Sequence, residues 1–401
     1  MKLITVVGAR PQFIKAAAVS RAIQDLNTSS GKQRLIERIV HTGQHYDENM
    51  SKVFFEELCI PTPFLNLQVG SASHGVQTGS MMIKLEQVFI TEKPDAVIVY
   101  GDTNSTLAGA LVASKLHIPV IHIESGLRSL NKRMPEEQNR VLTDHISTLL
   151  FCPTKTAIEN LKREGFLVDT RIKSENNLIP DIDHPKAILS GDVMYDCVLY
   201  YGELAQSKIG ILDNLKLVDK SGQIKPYVLA TLHRPENTED LERLGKIFSA
   251  FNQLTSDYTI VIPLHPRTRS VIDHSEELKN ASKSIRFCSP LSYLEMILLE
   301  KNSLFICTDS GGVQKEAYFL DKPCITIRDQ TEWTETVESG WNTLTSGDLS
   351  KISKAAKEAL DWVHGSKTHA PFQPRLKKDS GLFGDGESAH MIVETIIESF
   401  K

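Results

Sequence analysis

The 401-residue chain predicts an α/β protein of two doubly wound parallel-sheet domains facing a cleft. Three observations carry this. Short runs of β-branched and other apolar residues recur, apolar on both faces; each ends abruptly at a glycine or polar cluster; and a helical pattern follows each cluster. Such runs are buried parallel strands in βα units, and the length calls for two or three domains rather than one.

The first strands are LITVV, stopping at GARPQ, ERIV at HTGQH, DAVIVY at GDTNST and IPVIHI at ESGLR. A polar, proline-containing stretch from Val168 to Pro185 follows, then the segment GDVMYD at 191–196. Beyond it YVLAT stops at LHRPEN, YTIVIP at LHPRTR, SLFICT at DSGGVQ and PCITI at RDQTEW. The expected domains are therefore 1–190 and 191–386. The final segment carries Met391, Ile392, Ile396 and Ile397 at helical spacing, and a helix over 387–401 is expected to pack back on the first domain. The polar clusters end strands, which is where open α/β sheets bind ligands.

A net charge of -5 gives no general basic surface, which argues against nucleic acid as a partner. Hydrophobic residues are 41% of the chain but never run uninterrupted for a membrane span. The start, MKLITVVGARPQF, passes into Gly-Ala-Arg-Pro without a small-residue cleavage site, so it reads as the first strand of a soluble cytoplasmic protein. Cys59, Cys152, Cys197, Cys288, Cys307 and Cys324 are scattered, with no C-x-x-C, and read as buried free thiols of a reducing compartment.

Several clusters carry chemistry. In TDSGGVQKEA, Ser310, Gly311 and Gly312 lie between a strand and a helix, where small residues let backbone amides approach a phosphate; a plain tight turn is the alternative. The Gly-Lys-Ser/Thr of a nucleoside-triphosphate loop is missing. GARPQFIK offers Arg10 and, a turn later, Lys15, two cations suited to a diphosphate. The same turn lacks G-x-G-x-x-G, and the one Y-x-x-x-K, Tyr318 to Lys322, precedes a second-domain strand, so nicotinamide redox chemistry loses ground and no cofactor is expected. LHRPEN and LHPRTR place His233, His265, Arg234, Arg267 and Arg269 at strand ends, without the spacing of a zinc site, so no metal is expected.

Asp102 in GDTNST, Glu124 and Arg128 in HIESGLR, and Glu136 in RMPEEQNR bring three carboxylates to successive strand-end segments. Crowding like charges would raise the pKa of one of them, the arrangement that proton transfer at carbon requires. Each acid also has a local alternative. Asp102 could cap the helix at Asn104 and Ser105, and Glu124 could pair with Arg128. Glu136 and Glu137 could simply follow Pro135 in a helix first turn, with Glu136 four residues before Arg140.

Taken in order, GARPQFIK, HTGQHYDENM, GDTNST, HIESGLRS, MPEEQNR, LHRPEN, DSGGVQKEA and RDQTEW resemble the motifs of the non-hydrolysing UDP-N-acetylglucosamine 2-epimerases. The resemblance runs from Lys2 to Trp341, and GDGESA at 384–389 is similar to that family's final turn. It implies two Rossmann-like domains in a GT-B-like arrangement, a UDP-sugar substrate, no cofactor or metal, and a homodimer. It also implies inversion at C2 by loss and re-addition of UDP through a glycal. By motif it assigns Asp102, Glu124 and Glu136 to acid/base and sugar contacts and His233 to the catalytic set. Arg10, Lys15, Ser310, Gly311 and Gly312 fall to the diphosphate and Glu316 to the ribose, while Arg128, His265 and Arg267 join the substrate contacts. Which carboxylate removes the proton stays open.

Two departures stand out. Lys132, Arg133 and Met134 replace an aromatic stretch, and Pro235 stands where a second arginine is expected. Both resemble the subgroup acting on UDP-2,3-diacetamido-2,3-dideoxyglucuronate, so Lys132 or Arg133 is expected to pair with a sugar carboxylate. A hydrolysing epimerase, a glycosyltransferase of the same architecture and a UDP-sugar-binding regulator are the competing readings.

Overall fold

The computed structural model describes residues 1–29, 31, 34–44, 55, 57–169, 180–254, 257–264, 266–365 and 381–400. It divides into two compact units, Met1–Cys197 with Gly381–Lys401, and Val198–Ser380.

Among the described residues the first unit holds an eight-stranded, all-parallel sheet in the order β3-β2-β1-β4-β5-β6-β8-β7. The strands are β1 (Lys2–Val7), β2 (Ile36–His41), β3 (Leu65–Asn66), β4 (Ala96–Tyr100), β5 (Val120–Ile123), β6 (Leu149–Cys152), β7 (Val168–Asp169) and β8 (Lys186–Leu189). The second unit repeats the plan with six parallel strands ordered β11-β10-β9-β12-β13-β14. These are β9 (Tyr227–Thr231), β10 (Thr259–Pro263), β11 (Ile285–Cys288), β12 (Ile306–Thr308), β13 (Cys324–Thr326) and β14 (Asn342–Leu344). All eight strands expected from the sequence are present. The six others are two to four residues long, mostly at or near sheet edges.

Strand order decides where chemistry can sit. In the first sheet the chain moves one way from β1 to β3, then restarts at β4 and moves the other way, so the loops after β1 and β4 diverge and leave a crevice. The second sheet has the same reversal between β9 and β12. GARPQ and GDTNST end the first pair of strands, and LHRPEN and DSGGVQ the second. Helices approach these points closely because their inner faces are small: Ala16, Ala17 and Ala18 in Arg10–Ser29, and Ala108, Gly109 and Ala110 in Asn104–Lys115, are buried.

Each unit has its own core. Ile4, Val6, Val97 and Val99 pack with Met81, Leu85 and Phe89 in the first, and Val228, Ile260 and Phe305 with Ile247, Phe248 and Phe251 in the second. Each such side chain contributes about 1.5–3 kcal/mol of burial. The C-terminal helix, Ser388–Ser399, packs on the Arg10–Ser29 helix within the first unit. Its start is held by Asp196, whose carboxylate accepts from the Ala389 amide at 2.7 Å, while the Asp192 amide donates to the Phe383 carbonyl at 2.9 Å.

Burial pushes the Asp196 carboxyl up to about 6, against the pull of the Ala389 and Ser388 amides. A raised acid pKa means the folded state binds the extra proton, so stability falls as pH rises from about 4 to about 6. Asp196→Asn should abolish this pH dependence, so its stability relative to wild type should rise between about pH 4.5 and about pH 7.5. Denaturation curves at the two pH values check it; a difference from wild type that is the same at both contradicts it.

Candidate active site

In the first unit the turn after β1 is built around Gln12, which is buried and fully bonded. Its Oε1 accepts from the amides of Gly8 (2.8 Å) and Ala9 (3.1 Å), and its Nε2 donates to the Tyr100 carbonyl and the Thr106 hydroxyl, both at 2.9 Å. This joins the β1 and β4 turns and fixes the helix start at Arg10. One helical turn on, Lys15 forms an ion pair with Glu124, each side chain only 9% exposed.

Glu124 follows β5 with φ +69, and its amide donates to the Phe151 carbonyl at 3.1 Å. Beneath the pair lies Gly101, at φ +61; a Cβ there would come within 2.9 Å of the Glu124 carboxylate. Asp102, one third exposed, pairs with the buried Arg140, and Asn139 donates to the Asp102 carbonyl at 2.9 Å. Asp102 and Glu124 are thus each paired with a cation, which offsets the repulsion expected between them.

The local alternatives also change. Thr103, not Asp102, caps the Asn104–Lys115 helix, in a capping box with Thr106. Glu124 does not take Arg128. Arg128 instead donates to Glu164 through Nε and a terminal nitrogen (2.7 Å each), and to Asp144 and the Leu127 carbonyl (2.7 Å each). Its side chain is 4% exposed, so these surroundings do not favour the substrate contact expected of it.

In RMPEEQNR the helix does start at Pro135. Glu137 is the buried one, accepting from the Ser129 amide (2.8 Å) and hydroxyl (2.9 Å) and the Leu130 amide (2.9 Å), 3.4 Å from Arg140. It clamps the loop ahead of the helix, a role beyond favouring the helix start. Glu136 is half-buried and has no hydrogen bond or ion pair among the described residues, including the expected one to Arg140. Lys132 and Arg133, at the tip of the clamped loop, are exposed and have no ion-pair partner among the described residues.

In the second unit the β9 and β12 turns meet at Asp309, which is fully buried. It accepts from the amides of His233 and Arg234 (3.0 Å each) and from Asn237 Nδ2 (3.0 Å), and lies 2.8 Å from His233 Nδ1. Burial pushes the Asp309 carboxyl up, but His233, Asn237 and the Arg234 amide outweigh it and hold it below the usual range. Half-exposed His233 therefore has one ring nitrogen oriented by a buried acid and the other turned outward.

Ser310 caps the Gly311–Phe319 helix, its hydroxyl accepting from the Val313 amide. At Gly311 a Cβ would meet the Glu332 carboxylate at 2.6 Å, so a larger residue would displace that side chain. Glu316 is buried on the same helix, and Lys315 lies over the Trp333 ring at 3.9 Å. Tyr318 packs edge-on against Trp341. His265 and the side chain of Arg267 lie outside the described residues.

The sequence reading missed Gln12, His122, Asp144, Asn139 and Asp309. His122 sits inside an apolar strand and Asp144 at a helix end, positions that look like core and surface. Their one signal is that each lies within a turn or two of a motif acid.

Residues 28–397 match the family model described as UDP-N-acetylglucosamine 2-epimerase. The chain is 47% identical over 400 residues, covering 99% of each chain, to a UDP-N-acetylglucosamine 2-epimerase homolog of Methanococcus maripaludis. It is also 47% identical over 395 residues, covering 98% of this chain and 99% of the relative, to the UDP-2,3-diacetamido-2,3-dideoxy-D-glucuronate 2-epimerase of Pseudomonas aeruginosa. Among solved structures, the Methanocaldococcus jannaschii UDP-GlcNAc 2-epimerase in complex with UDP-GlcNAc and UDP has a TM-score of 0.81 at 40% identity, with 99% of each chain covered.

The geometry at Gly101 gives a stability prediction. Gly101→Ala should cost on the order of 1–3 kcal/mol, from left-handed backbone strain and the clash with Glu124. Gly31→Ala, at the same φ +61 with open space around it, should cost less because strain acts alone. Equal losses in urea denaturation would contradict the clash.

Proposed function

Because the chain belongs to the UDP-N-acetylglucosamine 2-epimerase family, we propose that it inverts C2 of a UDP-2-acetamido sugar by eliminating and re-adding UDP. The observation that supports the proton-transfer half is the pair of cation-matched acids at the carboxyl ends of β4 and β5, with Glu136, unpaired among the described residues, on the helix that follows. Asp102, Glu124 and Glu136 are the candidates for removing the C2 proton from one face and returning a proton to the other. As that C–H bond breaks, C1=C2 forms, the C1–O bond gives up its electron pair and UDP departs with the charge. The C2 hydrogen is activated by no carbonyl, so departure of UDP must be helped.

Arg10, Ser310 and the amides of Gly311 and Gly312 are assigned to that developing diphosphate charge. The Gly311–Phe319 helix supports this with its unsatisfied N–H groups and dipole. Lys15 neutralises the site beside Glu124, and a diphosphate would share it with that carboxylate. His233, its Nδ1 oriented by Asp309, offers its outer nitrogen to the leaving group, and Glu316 takes the ribose. His265, Arg267 and Arg128 remain assigned by motif alone.

For the sugar, the reading favours the 2,3-diacetamido uronate. Lys132 and Arg133 are exposed cations without a described partner, on a loop that Glu137 holds in place, and a carboxylate would complete them. The active species is taken to be a cytoplasmic homodimer, which light scattering would test.

Incubation with each UDP-sugar in heavy water is the experiment. Deuterium should enter C2 reversibly with UDP-sugar retained, faster for the uronate than for UDP-N-acetylglucosamine. Net UDP release would mean hydrolysis, and transfer to an added acceptor would mean glycosyl transfer. Glu136→Gln should lower exchange by about 100-fold or more. Arg133→Ala should raise KM for the uronate about 5- to 100-fold, as expected for a lost charge-assisted contact, and spare the neutral sugar. A strong preference for the neutral sugar would sink the uronate assignment.

A further inference from the structure

We infer that His122 and Asp144 are positioning residues that hold the turns bearing Asp102 and Glu124 in register with each other, an inference that rests on the epimerase reading above. His122 is fully buried on β5, with Nε2 2.8 Å from the carbonyl oxygen of Gly101, the residue before Asp102. Its Nδ1 lies 2.7 Å from one carboxylate oxygen of Asp144, also fully buried. A carbonyl accepts only, and so does an ionised carboxylate, so the ring donates from both nitrogens.

The second oxygen of Asp144 accepts from the Gly126 amide at 3.1 Å, two residues beyond Glu124, and from Arg128 at 2.7 Å. One unbroken path therefore runs from the Asp102 turn to the Glu124 turn: Gly101 carbonyl, His122, Asp144, Gly126 amide. Arg128 braces the path from the far side against Glu164.

A role in geometry follows from the energetics. A buried charged network is close to neutral for stability, since desolvation offsets attraction, and an apolar core would fill the same space as well. What apolar side chains cannot supply is directional bonds at both turns. Glu124 already sits in a left-handed conformation, and Gly101 is another left-handed residue, so both turns need such bonds to stay in place. Burial pushes the Asp144 carboxyl up, but His122 and Arg128 outweigh it, which keeps the acceptor ionised.

The test compares His122→Asn, His122→Gln and Asp144→Asn with wild type, for kcat and KM of C2 epimerisation, UDP affinity and Tm. Asparagine can reproduce the bond to Asp144 but not the one to Gly101. Asp144→Asn keeps the shape should the histidine variants fold poorly. Expected is a kcat loss of about 10- to 100-fold with KM within about threefold, as for outer-shell residues that orient reacting groups. UDP affinity should hold, because among the described residues none of the groups assigned to the diphosphate or the ribose bonds to His122 or Asp144, and the double variant should be no worse than the worse single one. Variants with wild-type kcat, or with kcat, KM and Tm failing together, overturn the inference. Wild-type protein without C2 exchange removes the epimerase reading and this inference with it, whereas active wild type with unaffected variants removes the inference alone.

Discussion

The first unit depends on pairing each acid at the carboxyl end of its sheet with a cation. Glu124 has Lys15, Asp102 and Glu137 share Arg140, and Asp144 has His122 and Arg128. At about 4 Å such pairs attract by roughly 4 kcal/mol in the effective dielectric of a protein rim, and removing one partner of a buried pair costs about 3–5 kcal/mol. Without these cations, strand order alone would bring the acids to one edge and repulsion would drive them apart. With them the acids sit close together, and Glu136, half-buried, has no hydrogen bond or ion pair among the described residues.

The second unit uses the same strand order. Its crevice presents amides, a helix N-terminus and an imidazole oriented by Asp309, groups suited to an anion. In both units the turns are fixed by one buried polar side chain that bonds two loops: Gln12 in the first, Asp309 in the second.

Much of this was legible in the chain. The eight expected strands appear as apolar runs because a parallel sheet covered on both faces needs no alternation. GARPQ, GDTNST, LHRPEN and DSGGVQ fall at the two points of strand reversal, as their positions after strands imply. What could not be read was partner choice. Spacing pairs Arg140 with Glu136, yet tertiary packing gives it Asp102 and Glu137. Glu124 and Arg128 sit at pairing distance in sequence and separate in space, because the left-handed turn at Glu124 and Gly126 points them to different neighbours. His122 was hidden by its apolar surroundings.

In the proposed reaction UDP leaves C1 and returns during inversion at C2. Positional isotope exchange tests it most directly, using UDP-sugar labelled with heavy oxygen in the bridge between C1 and the diphosphate. The account predicts that label appears in non-bridging oxygens of recovered UDP-sugar on the time scale of epimerisation. Inversion at C2 with the label still wholly in the bridge would contradict it.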